Sequence, residues 1–154
     1  MNHLKKFVIL ICIFFFSVAI SYSQDSALRV DIKPELTSVK NGEEFSVMTK
    51  VINTSHKDQS LHVWSCSYSE NWVVDNDLVL ISGQVCHGNG VMEVLLKPGE
   101  AYEKKLSLKS ILASSEGFGS EKVTFRLGFK TFVDGPNNKL PIVWSNPITV
   151  DVKE

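Results

Sequence analysis

Glu44-Phe45-Ser46-Val47-Met48-Thr49-Lys50-Val51 is the stretch that decides the fold class. Side chains alternate across an extended chain, so Phe45, Val47, Thr49 and Val51 share one face, and Glu44, Ser46, Met48 and Lys50 share the other. This reads as a half-buried β-strand. Asn41-Gly42 precedes it as a turn signal, since both residues tolerate positive φ, and Asn53-Thr54-Ser55 with Lys57-Asp58 follows as a polar turn.

The same period of two continues in both directions. Upstream, Leu28, Val30 and Ile32 alternate with Arg29, Asp31 and Lys33 until Pro34, which donates no ladder hydrogen bond, stops the strand. Downstream, Leu61, Val63 and Ser65 oppose His62, Trp64 and Cys66; the second set carries the bulk, so Trp64 and Cys66 are expected inward. Trp72-Val73-Val74 and Leu78 to Ile81 read as short strands or an ordered loop, and Val91 to Leu96 as a strand. Pro98-Gly99 makes a tight turn, from which a strand emerges with Tyr102, Lys104, Leu106 and Leu108 on one face.

Ser110 to Ser120 reads as a connection between sheets, and Val123, Phe125, Leu127 and Phe129 alternate with Thr124, Arg126, Gly128 and Lys130 beyond it. After a loop through Gly135-Pro136-Asn137-Asn138 come Ile142-Val143-Trp144, a kink at Ser145-Asn146-Pro147, and a last strand with Ile148, Val150 and Val152. No long stretch repeats apolar residues at three and four. The expected fold is all-β, an antiparallel sandwich of about seven to nine strands in one domain, residues 24–154.

The preceding residues 1–23 have the order of a secretory signal peptide: Lys5-Lys6, an apolar run from Phe7 to Phe16, then Ser21-Tyr22-Ser23 before Gln24. A bilayer-spanning helix needs about 20 apolar residues, and this run is broken by Ser17, so cleavage is expected rather than anchoring. The destination is a periplasm or the extracellular medium. Without Lys5 and Lys6 the 16 basic residues fall to 14 against 17 acidic ones, a net charge near −3. That balance argues against a nucleic-acid partner or an anionic membrane surface.

Cys12 lies inside the apolar run and leaves with the leader; Ile11 before it and the continuing apolar run argue against lipid attachment. Cys66 and Cys86 remain, and an isolated pair in an oxidising compartment reads as one disulfide. Two buried thiols or a metal pair are the alternatives, and no CxxC or HxxxH spacing favours a metal.

A Phe45-x-Val47-x-x-x-Val51 strand ending in Asn53, the Leu96-Lys97-Pro98-Gly99-Glu100 turn feeding Tyr102 to Leu108, and the closing Ile148-to-Val152 strand give Glu44 to Val152 a resemblance. The region is similar to immunoglobulin-like β-sandwich modules of bacterial exported proteins, grouped near transglutaminase C-terminal domains and cell-adhesion-related modules. The resemblance implies a sandwich and no assigned activity, because such modules host many roles. The stretch from Cys66-Ser67 through Asn71-Trp72 to Cys86-His87-Gly88-Asn89 is similar to small exported bacterial proteins, also without assigned activity. The chain departs from antibody domains in that its bridge would tie a single excursion rather than clamp two sheets.

Candidate chemistry is sparse. His56, His62 and His87 do not converge in any strand pattern, serines lack a GxSxG setting, and bridged cysteines are no nucleophiles. Asp75 and Asp77 flank Asn76, but the further oxygen ligands and glycine of a calcium loop are missing, so no metal site or cofactor is expected. Trp64 and Trp144 read as structural. Trp72 sits on the polar, disulfide-held stretch Tyr68-Ser69-Glu70-Asn71, where it either packs against its own loop or meets a partner.

The expected function is therefore a non-catalytic exported binding module, not an enzyme. It recognises a protein or cell-envelope component through the loop from Ser67 to Asn89, with Trp72, Tyr68, Asn71 and Asn89 as partner-binding residues. A secreted proteinase inhibitor, or a carbohydrate-binding module using Trp72 and Tyr68 on a glycan, is the alternative. The chain is not expected to be membrane-embedded.

Overall fold

A computed structural model describes residues 27–83, 86–112, 119–131 and 141–154. The leader, most of the Ser110-to-Ser120 connection and the Gly135-Pro136 loop lie outside the described residues. Within them all regular structure is β-strand apart from one 3-10 turn at Tyr68–Asn71.

The strands are β1 (Leu28–Pro34), β2 (Ser38–Lys40), β3 (Glu44–Asn53), β4 (Gln59–Trp64), β5 (Trp72–Val74) and β6 (Val79–Ile81). Then follow β7 (Val91–Leu96), β8 (Ala101–Ser110), β9 (Ser120–Phe125), β10 (Leu127–Phe129), β11 (Val143–Trp144) and β12 (Ile148–Lys153). One layer is the sheet β1-β3-β8-β6. The β3–β8 pairing, from Glu44↔Lys109 to Ile52↔Ala101, is its spine. Across the core lie β2-β12-β9 and β11-β10-β5, which run on from one another through the β9/β10 and β11/β12 breaks, and the hairpin β4-β7. The result is an all-β, sandwich-like fold.

The periodicity of β3 carries through: Phe45, Val47, Thr49 and Val51 are buried, and the opposite face is half-buried or exposed. Phe45 meets Phe125 edge-on at 6.3 Å, and Tyr102 meets Phe129 at 6.5 Å, so both long strands of the first layer reach the β9/β10 strand of the second. Polar core groups are matched. Asn53, fully buried, donates from its side chain to the Lys57 and Leu96 carbonyls, each at 2.8 Å, and accepts from Ser55. It thereby ties the β3–β4 turn to the Pro98-Gly99 turn, where Gly99 adopts φ 81° and donates to the Asn53 carbonyl at 2.9 Å.

Three expectations are corrected. The parity of β4 is reversed: Leu61 and Val63 are fully buried, whereas Trp64 and Cys66 are half-buried. Bulk misleads here because a large ring can lie half-covered on an outer face, while two small aliphatic residues opposite Val94 and Met92 fill the interior whole. Secondly, β2 pairs in parallel with β12, an edge that three residues gave no means of foreseeing. Together with the short β5 and β6, it takes the strands beyond the expected number even when β9/β10 and β11/β12 are each counted once.

Thirdly, the Val123-to-Phe129 run is broken at Arg126. There Asp75 accepts from the Arg126 backbone N–H at 2.6 Å and from its guanidinium at 2.7 Å. The matching break at Ser145 is held by the Ser145 N–H on the Leu127 carbonyl (2.9 Å) and the Leu127 N–H on the Ser145 hydroxyl (3.1 Å).

Close approach fixes one glycine. A Cβ at Gly128 would stand 2.5 Å from Ile142 Cγ2 and 2.9 Å from the Trp144 ring, which lies across it and carries the Arg126 guanidinium at 5.3 Å. Gly128→Ala is expected to destabilise by about 1–3 kcal/mol through this overpacking, as read by urea denaturation. An unchanged midpoint would mean that Ile142 and Trp144 move aside freely.

Candidate functional site

The disulfide-held excursion crosses the sandwich. From β4 the chain passes Cys66, makes the 3-10 turn, contributes β5 to the second layer and β6 to the first, and returns past Cys86 to β7. The Cys66–Cys86 disulfide has its Cα atoms 5.9 Å apart, at the point where the β4-β7 hairpin opens beyond Trp64↔Val91. Asn89 closes this mouth. Its side-chain oxygen accepts from the Cys66 and Ser67 N–H groups at 3.4 and 3.3 Å, and its amide nitrogen bonds the Ser67 hydroxyl.

Two of the four expected partner-binding residues face inward, which corrects that part of the expectation. Trp72 is 3% exposed and packs edge-on against Phe129 at 5.1 Å, opposite it in the β5–β10 register. It is a core residue, because β5 inserts beside β10 and carries the ring with it. Asn71 is buried as well: it accepts from the Trp64 N–H at 2.9 Å and donates to the Lys130 carbonyl at 2.9 Å, stitching the turn to β4 and to the end of β10. Asn89 is exposed at its backbone neighbourhood, but its amide is committed to the mouth of the loop.

Tyr68 is the expected residue that reaches a surface site. Its hydroxyl donates to the Lys105 carbonyl at 3.3 Å, just beyond where β6 ceases to cover the β8 edge, and Lys104 Nζ stands 5.1 Å from its ring. Beside it an open groove of about 390 Å³ runs between the two limbs of the excursion, Tyr68-Ser69 and Ser82-Gly83, over Glu44 and Ser46 of β3 and Lys105 and Ser107 of β8.

The Ser107 hydroxyl donates to Glu44 at 2.7 Å. That bond first, and the Ser82 hydroxyl second, hold the Glu44 carboxyl below its ordinary value. Lys105 is neutralised by Glu35 at 2.8 Å. The groove therefore presents four serine hydroxyls, one ionised carboxylate and one phenol.

The fold also holds a buried phenol. The Tyr102 hydroxyl has no hydrogen-bond partner among the described residues, and burial, aided by the neighbouring Tyr68, pushes its pKa up from 10.0 to about 12. The folded state keeps the neutral phenol while the unfolded chain ionises near its ordinary value. Its contribution is thus complete below pH 10.0 and is lost as pH rises through about 12. Tyr102→Phe is expected to leave stability near neutrality unchanged and to flatten the alkaline fall in urea midpoint. A parallel fall in variant and wild type would rule that phenol out as the cause.

Sequence reasoning missed Glu44, Ser46, Ser82, Lys105 and Ser107. Alternation does place the β3 and β8 residues on an outward face, but only the Ser46↔Ser107 register brings them together. Asp75 is engaged by Arg126, and no group of three or more His, Cys, Asp or Glu that could hold a metal occurs among the described residues. No helix among them is long and apolar enough to cross a membrane.

No family model matches the sequence, and no curated protein matches it. Solved structures that match in shape include the sporulation control protein Spo0M of Bacillus subtilis, 13% identical over 84% of this chain, with a TM-score of 0.49. The chain spans 50% of that protein's length. The native alpha-2-macroglobulin of Escherichia coli, from domain MG7 to its C-terminus, is 11% identical over 83% of this chain and 17% of its own, with a TM-score of 0.44. A FixG-related protein from Vibrio parahaemolyticus is 15% identical over 82% of this chain and 93% of its own, with a TM-score of 0.36. None of these assigns the chain to a family, and what stands is an all-β, sandwich-like protein with a Cys66–Cys86 disulfide.

Proposed function

We propose that the protein is a non-catalytic, exported binding module of immunoglobulin-like kind that recognises a cell-envelope component or protein through the outer side of its disulfide-held excursion. One observation carries this reading: both limbs of that excursion, Tyr68-Ser69 and Ser82-Gly83, converge with the outer faces of β3 and β8 to make one groove. A segment closed by a disulfide and tied down by Asn71 and Asn89 holds its contact groups in place before binding, which reduces the entropy lost on association.

The lining favours a glycan over an apolar peptide. Ser46 and Ser69 offer hydroxyls that donate and accept, Ser82 and Ser107, whose protons go to Glu44, offer acceptor oxygens, and Tyr68 offers a ring edge. Leu106 and the Tyr68 ring supply apolar surface in the lining, which suits the face of a sugar ring flanked by these hydroxyls.

The test uses full chain exported by its host and an array of envelope polysaccharides, peptidoglycan fragments and host envelope proteins. Ser82→Trp, which fills the groove, is expected to abolish a wild-type signal with an unchanged melting temperature, and Tyr68→Ala to weaken it about tenfold. If Ser82→Trp binds everything the wild type binds, the groove is not the site. Stoichiometric inhibition in a parallel panel of serine, cysteine and metalloproteinases would replace this reading with that of an inhibitor.

A further inference from the structure

The outer edges of the sheets are not protected alike, and β9, six residues long, carries Glu121 and Lys122. The β1 edge carries Arg29, Asp31 and Lys33 and ends in Pro34, and β2 and β6 are three residues long. Charges, proline and shortness all discourage strand addition. β7 is neither short nor interrupted by proline. Its six residues, Val91-Met92-Glu93-Val94-Leu95-Leu96, include one charge, and β4 is its only strand partner among the described residues. Val91, Met92 and Leu95 are 45%, 40% and 57% exposed, so apolar side chains emerge on both faces of the strand.

The hydrogen-bonding direction of β7 follows from its pairing. The Ser65 N–H donates to the Gly90 carbonyl at 2.9 Å, so Gly90, Met92, Val94 and Leu96 direct their backbone groups to β4. By alternation Val91, Glu93 and Leu95 direct theirs to the open edge. Their side chains share the outer face of the hairpin, where they sit opposite Trp64, His62 and Ser60.

We propose that this edge joins two copies of the chain, β7 against β7 in antiparallel register about a two-fold axis at Leu95. Charge complementarity selects both the occupant and the register. An axis at Glu93 would set that carboxylate against its own copy. An axis at Val94 would set Glu93 against Leu95 and Val91 against Lys97. An axis at Leu95 sets Leu95 on Leu95 and Glu93 opposite Lys97 twice, by symmetry.

Both side chains are available. Lys97 has no acidic partner among the described residues, and Glu93 uses one oxygen to accept from Ser60 at 2.5 Å, which leaves the other. The Lys97 N–H is already taken by Glu100 at 2.9 Å, so at that end the contact is made by the ammonium. The edge stands apart from the groove, and this inference does not depend on the function proposed for it.

Sedimentation velocity on the full exported chain, from micromolar to near-millimolar concentration at low salt, tests the pairing. The wild type is expected to show a concentration-dependent monomer–dimer equilibrium. E93K and K97E are each expected to weaken it roughly tenfold or more by creating like-charge pairs, and the double variant E93K/K97E to restore it. A wild type that stays monomeric throughout overturns the proposal. So does a dimer that K97E leaves unchanged, because that would require another register or another face. Melting temperatures of the variants, expected to match the wild type, exclude loss of fold as the cause.

Discussion

Trp72→Ala is expected to destabilise the protein by about 3–5 kcal/mol, the range for removing a large aromatic side chain from a packed core. The ring is buried beside Phe129 at 5.1 Å, and Phe129 in turn meets Tyr102 at 6.5 Å, so the three rings link β5 and β10 of one layer to β8 of the other. Deleting the first leaves a cavity that the strands on either side cannot close, because Asn71 and the β5–β10 register hold the backbone in place. The indole N–H has no partner among the described residues, so Trp72→Phe, which removes that buried donor, is expected to cost distinctly less. Urea denaturation of the oxidised chain separates the cases. Equal midpoints for Trp72→Ala and wild type would return Trp72 to the surface and undo its place in the core.

What was legible in the sequence was whatever alternation alone determines. The β3 pattern, the Phe125 and Phe129 faces, the Asn41-Gly42 turn with φ 76° at Gly42, and the breaks near Pro34 and Ser145 follow from side-chain parity and from residues with restricted or permissive backbones. Parity does not say which face is inward when both carry apolar atoms. That is why Trp64 was expected in the core and Leu61 outside it. Polarity of the neighbourhood misled at Trp72: Tyr68 to Asn71 is a polar run, but Asn71 is buried, its amide bridging the Trp64 N–H and the Lys130 carbonyl. A buried asparagine of this kind looks like a surface residue until its partners, one of them 59 positions away, are known. The groove was out of reach for the same reason, since Glu44 and Ser107 lie 63 positions apart and meet only through strand register.

Removing the disulfide, by reduction or as Cys66→Ala/Cys86→Ala, is expected to destabilise by roughly 3 kcal/mol on the chain-entropy account of a closed loop with a sequence separation of 20. For a domain of this size that lowers the melting temperature by roughly 10 °C. The native fold should survive the change. β5 remains paired with β10, β6 with β8, and the mouth of the excursion remains closed by Asn89 and by the Ser65 N–H on the Gly90 carbonyl. The bridge thus acts mainly on the unfolded chain, which regains the freedom of the excursion when it is cut. Hydrogen exchange distinguishes this from a structural role: below the melting transition, amides of β5 and β6 should stay protected in the reduced protein. Loss of protection there well before global unfolding would mean that the disulfide holds the native excursion together. The groove between Tyr68 and Ser82 would then exist only in the oxidised protein.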